Sequence, residues 1–279
     1  MDYKKEVLRL REERIKKRKR KTLIWTVILA VLLLLVIVEA VMIMNINRHE
    51  NNEDNDVVVA TAEPTAMPTA EPTIEPTPEI TRRGTAEPIP PEIRQSMAGY
   101  SMPSGASITY DELSYLTIPH YDFNYNVTEG HLIVNAALAE EVLDIFAELF
   151  DIQYPVERME LIDKYDADDY LSIEYNNTSA FNYRESTDGS GRLSKHALGR
   201  AIDINPQINP YVNSNGTGAH SNAREYWSRD ISRWTSEVAK AAYIGRDTEI
   251  YNIFVNKYGW EWGGAWSSYR DYQHFQKFN

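Results

Sequence analysis

An apolar run from Leu23 to Met44, interrupted only by Thr26 and Glu39, constrains this 279-residue chain more than any other feature. As a helix rising 1.5 Å per residue it spans roughly 33 Å, and a bilayer hydrocarbon core is about 30 Å thick. The cluster Lys16–Lys21 directly precedes it, which by the positive-inside rule keeps that end in the cytoplasm. Glu39 lies near the outer end, where a carboxylate reaches the interface cheaply. A cleaved signal peptide would have an apolar stretch of about 7–15 residues ending at a small-residue site. This run is longer and exits through MIMNINRHE, so the reading is an uncleaved signal anchor over 22–44 behind a basic tail over 1–21.

Charge and aromatic content divide the rest. Residues 1–21 carry a net +7 and everything after them −19, which argues against a nucleic-acid-binding body. With no cysteine there is no disulfide framework, no Cys-ligated zinc and no thiol nucleophile. Residues 45–99 lack aromatics, and eight of the thirteen prolines fall between Pro64 and Pro91 in Ala/Glu-Pro-Thr units. Such a stretch cannot bury a core and reads as a disordered linker, with Arg82-Arg83 either a solvated basic pair or a processing site. Of 31 aromatic residues only Tyr3 and Trp25 precede Tyr100, so the folded domain is expected over 100–279.

That domain mixes elements. Val134–Phe150 has apolar residues at 134, 138, 142, 145, 146 and 149, a helical stripe that Pro155 ends. VERMELI after it alternates like a strand, and RAIDI (200–204) reads as a short buried strand carrying Asp203. Ser236–Val255 reads as a helix broken near Gly245. Without regular strand–helix alternation the expected class is α+β, a small antiparallel sheet with packed helices.

A carboxylate between Ile202 and Ile204 needs a cation, hydrogen bonds or a metal, because an unpaired buried charge is costly. His196 precedes Asp203 by seven residues, and Gly199 permits a turn between them. Asp271 and His274, three apart, are expected to converge on one face of a helical turn. Two imidazoles and one carboxylate suit zinc and leave a position for water, with a further carboxylate as general base. On spacing alone, a satisfied core histidine or a surface ion pair remains the competing reading. His49 falls in the linker, and His120, His131 and His220 have no comparable setting.

Ser194, His196, Gly199, Ala201 and Asp203 fill S-x-H-x-x-G-x-A-x-D, followed by Ile204-Asn205-Pro206 and Asn209-Pro210-Tyr211. Trp262, Gly263, Gly264, Trp266, Asp271, His274 and Phe275 fill W-G-G-x-W-x4-D-x-x-H-F, and Asn176–Arg184 adds a third segment. Together these resemble the zinc D-alanyl-D-alanine carboxypeptidase / L-alanyl-D-glutamate endopeptidase family, the VanY-like cell-wall peptidases, from about residue 115 onward. The resemblance implies one zinc per chain held by His196, Asp203 and His274. It implies Asp271 as catalytic base, with Glu261 as the rival, and Arg184 as the group that binds and polarises the substrate. Ser194 is either a substrate contact or a local turn hydroxyl, and Trp262 and Trp266 read as packing around the site. DYQHF stands where the carboxypeptidase branch has an E-P-W-H-like motif, which favours the endopeptidase-like branch. Ala265 stands where relatives often have an acid, and 213–234 matches poorly.

The expected function is therefore a membrane-anchored zinc peptidase acting on peptidoglycan stem peptides outside the cell, single-pass with its N-terminus in the cytoplasm. A D,D-carboxypeptidase and a catalytically silent wall-binding module are the alternatives.

Overall fold

The computed structural model describes residues 82–186 and 191–278, all within one of the chain's two compact units, Ile74–Asn279. Among these residues no helix is long and apolar enough to cross a membrane; the run 22–44, the tail 1–21 and the linker up to residue 81 lie outside them.

The fold starts earlier than the aromatic content suggests. Strand β1 (Thr85–Pro88) is followed by helix α1 (Pro91–Met97), and both precede Tyr100. β1 pairs antiparallel with β2 (Leu113–Tyr121), while Ile89 and Met97 are buried in a cluster with Leu113, Ile133 and Phe181. Residues 85–97 therefore belong to the folded domain, ahead of the boundary expected at Tyr100. Its prolines sit where they do no harm: Pro88 closes an edge strand and Pro91 opens a helix, positions where the missing N–H is not needed. Arg83 pairs with Glu140 and Asp144, and Arg82 pairs with Asp151. Both members of the basic pair are therefore engaged with the domain.

β2 continues through a turn into β3 (Val127–Asn135), in full antiparallel register from Leu113 opposite Asn135 to Tyr121 opposite Val127. The expected helix follows as α2 (Ala139–Asp151) and begins later than Val134. Val134 still belongs to β3, and the Asn135 side chain caps the turn by accepting the N–H of Ala137 at 3.2 Å. Val142, Leu143, Phe146 and Leu149 of α2 join Leu116, Ile118, Leu132 and Val134 of the sheet in the main core. Burying each such side chain is worth about 1.5–3 kcal/mol.

The second half is built from short pieces. β4 (Arg158–Met159) shortens the expected VERMELI strand to two residues; after helix α3 (Asp169–Glu174), β5 (Asn177–Thr178) pairs parallel with it. The RAIDI strand is present as β6 (Ala201–Asp203), followed by β7 (Tyr211–Val212). Ser236–Val255 is broken as expected: α4 (Glu237–Ala241) stops before Gly245, and α5 (Glu249–Tyr251) runs on into a π-helical turn, Asn252–Lys257. β8 (Glu261–Trp262), β9 (Arg270–Asp271) and β10 (His274–Gln276) complete the chain. β10 lies between β6 and β8, antiparallel to both, and β9 pairs antiparallel with β7. The architecture is α+β with small sheets, antiparallel except for the β4–β5 pair.

The poorly matched stretch 213–234 and its neighbours are tied down by Arg229. Its guanidinium donates to Ile208 O (2.5 Å), Asn209 Oδ1 (2.9 Å) and Ile244 O (2.9 Å), and it lies over the rings of Trp234, Tyr243 and Tyr272. Burial pulls its pKa down to about 10.

Candidate metal centre

Three strand and turn segments bring the site together. The turn His196–Leu198 ends at Gly199, whose φ of 63° is left-handed backbone that favours glycine. The chain reverses there and enters β6, which carries Asp203. β10 then places His274 directly opposite Asp203 in register. The segment after β5 ties the two halves: Ser179 N donates to Asp203 O at 3.0 Å, Asn182 N to His196 O at 3.2 Å, and Ser194 N to Arg184 O at 3.1 Å.

A Cβ on Gly199 would lie 2.5 Å from Asn135 N and 2.9 Å from a Leu113 methyl. Gly199→Ala combines positive-φ strain with a clash against backbone, so a loss of about 2–4 kcal/mol is expected. Urea unfolding with an unchanged midpoint would count against this view of the turn.

Convergence is close. His196 Nε2 lies 3.3 Å from Asp203 Oδ2, His274 Nδ1 lies 2.9 Å from Asp203 Oδ1, and the two ring nitrogens are 3.2 Å apart. All three side chains are buried, and their donor atoms lie within 4.8 Å of one another. Among the described residues no other group of His, Cys, Asp or Glu meets that spacing. The far edge of His196 is committed, since its Nδ1 lies 2.5 Å from Ala180 O. A carbonyl only accepts, so that nitrogen carries the proton and Nε2 turns its lone pair inward. Two imidazole nitrogens and a carboxylate oxygen, buried and aimed at one point, form a donor set that fits zinc.

Electrostatics agree with that fit. Burial opposes the Asp203 charge, yet His196 and His274 overrule it and hold the carboxyl well below its ordinary range. Burial likewise opposes a His274 cation, but the hydrogen bond and charge of Asp203 outweigh it and push His274 up to about 9.

Asp271 is not on a helical turn with His274. It belongs to β9, opposite Tyr211, and a turn at Tyr272-Gln273 separates it from β10. Two strands leaving that tight turn bring the residues together, and Gly263 makes room: a Cβ there would sit 2.7 Å from Asp271 O. Gln273 Nε2 donates to Asp271 Oδ1 at 3.0 Å. Burial and then the Asp203 charge push the Asp271 carboxyl up to about 6, while both imidazoles oppose the shift.

The other residues singled out in the sequence have partners of their own. Ser194 Oγ accepts the His196 N–H at 3.3 Å, the local turn hydroxyl geometry. Arg184 forms an ion pair with Asp169, and its Nη1 donates to Glu185 O at 3.3 Å. Trp262 is core, donating to Tyr272 O at 2.9 Å, whereas Trp266 stands 5.3 Å from the His274 ring and bonds Glu261. Three contributors were not foreseen: Ala180 through its carbonyl, Gln273 and Gln276. Gln276 shares a face with His274 two residues along β10, a relation hidden while that segment read as a helical turn.

No curated protein and no solved structure matches the chain. A family model does: residues 188–277, which contain His196, Asp203, Asp271 and His274, match the family described as D-alanyl-D-alanine carboxypeptidase, as the motifs led us to expect.

Proposed function

We propose that the chain is a zinc-dependent peptidase that hydrolyses peptidoglycan stem peptides between L-Ala and D-Glu, held to the outer face of the membrane by residues 22–44. The observation that carries this reading is the convergence of His196, Asp203 and His274 from separate segments, with Asp271 on an adjoining strand. Bound zinc supplies an acidified water and polarises the scissile carbonyl.

This chain's residues supply the rest. Asp271, with Oδ1 steadied by Gln273, accepts the proton of the attacking water as its oxygen bonds to the carbonyl carbon. It returns that proton to the nitrogen as the C–N bond breaks, so the amine leaves neutral. The Arg184 guanidinium, oriented by Asp169, provides positive charge for the developing oxyanion. Ser194 steadies the His196 turn and is a backbone contact for substrate only if its hydroxyl turns outward. A linker of just under about 40 residues spans on the order of 35 Å as a coil and up to about 115 Å as polyproline II, so it gives the domain reach from the membrane.

The description of the matched family favours a second reading, removal of terminal D-Ala. Mass spectrometry of purified muropeptides after incubation with the zinc-loaded protein separates the two. Products split between L-Ala and D-Glu are expected. Loss of D-Ala alone would replace the endopeptidase reading, and no zinc-dependent product would leave a silent wall-binding module.

A further inference from the structure

His274 must present a bare Nδ1 to a metal, so its one proton has to reside on Nε2. Nε2 lies 3.1 Å from Gln276 Oε1. A glutamine by itself does not decide that polarity, since its amide can offer either oxygen or NH2. The decision comes from the neighbouring strand. Glu261 stands directly opposite Gln276 in the β8–β10 register, and Gln276 Nε2 donates to Glu261 Oε2 at 3.3 Å. The other Glu261 oxygen accepts Trp266 Nε1–H, which pins the carboxylate from the far side. A carboxylate only accepts, so the Gln276 NH2 must face Glu261 and its oxygen must face His274.

We infer that Glu261 is a positioning residue, setting the His274 tautomer through Gln276 so that Nδ1 stays open to the metal. This rests on the zinc reading above, and it gives the rival base a different role: both Glu261 oxygens are engaged, one by Trp266 and one by Gln276, rather than turned to a water. Reversing the polarity reverses the outcome. In Glu261→Gln the new amide keeps its oxygen on Trp266 and turns its NH2 to Gln276, which flips and offers NH2 to His274. The proton then moves to Nδ1 and blocks the ligand position. Adding Gln276→Glu to that variant restores an acceptor for the Nε2 proton and a donor–acceptor pair between positions 261 and 276.

The test is zinc affinity by chelator competition on the purified protein, with 15N NMR of the zinc-loaded imidazoles. Wild type should bind one zinc with the His274 proton on Nε2. E261Q should bind about 10–100-fold more weakly, the range carried by partners of metal-ligating histidines. The double substitution E261Q/Q276E should recover most of that loss, which a merely structural role for Glu261 would not produce. E261Q binding as tightly as wild type, or a double variant no better than the single, would overturn the relay alone. Failure of wild type to bind zinc would instead overturn the peptidase reading beneath it, and the relay with it.

Discussion

Asp271→Ala is expected to lower turnover by about 10²–10⁴-fold, the share a general acid–base group contributes, while zinc stays near one per chain. The separation of effects follows from position. His196, Asp203 and His274 form the compact donor group, whereas Asp271 sits on β9 across the turn at residues 272–273 and influences the others through charge. Asp271→Asn keeps an acceptor for Gln273 and should lose as much activity, which rules out simple collapse of the strand. Hydrolysis of a defined stem peptide and metal analysis on the same preparation check both halves. Zinc lost together with activity would make Asp271 a ligand and leave the base to be found elsewhere.

Asp203→Ala should do the opposite, weakening zinc binding by more than the roughly 100-fold that outer partners carry and taking activity with it. It also changes the metal-free protein in a pH-dependent way. The His274 pKa is raised in the fold, so its contribution is full below its ordinary value near 6.5 and fades as pH rises through about 9. The Asp203 pKa is depressed, so its contribution is full above about 4 and fades as pH falls further. The ion pair therefore stabilises the metal-free domain most between about pH 4 and 6.5. Unfolding temperatures of wild type and variant should differ most there and converge towards pH 9 and above. Zinc loading has to displace the His274 proton, so apparent zinc affinity in wild type should climb with pH up to about 9. A flat difference across that range would show that the two groups are not paired.

Local chemistry made part of this protein legible. Gly199 between His196 and Asp203 announced a reversal because few other residues take a left-handed backbone angle, and the turn is there. Ile202 and Ile204 around Asp203 marked a buried strand with a charge that needed partners, and the partners are two imidazoles. Where reading by pattern failed, pairing had decided. Residues 85–88 look like more of the proline-rich linker, yet β2 offered an open edge and drew them into the sheet. The three-residue step from Asp271 to His274 suits a helix, but β7 and β6 each claimed one end of it as a strand.

Ligand types, the turn glycine and the α+β class belong to the sequence itself, because each follows from what a residue or its near neighbours can do. The tertiary structure decided the rest: which strand faces Asp203, and that Glu261 meets Gln276 rather than the metal position. Those contacts join residues up to 71 positions apart, as between Asp203 and His274, and no local preference encodes such a distance. They arise only when packing of the core brings the strands into register.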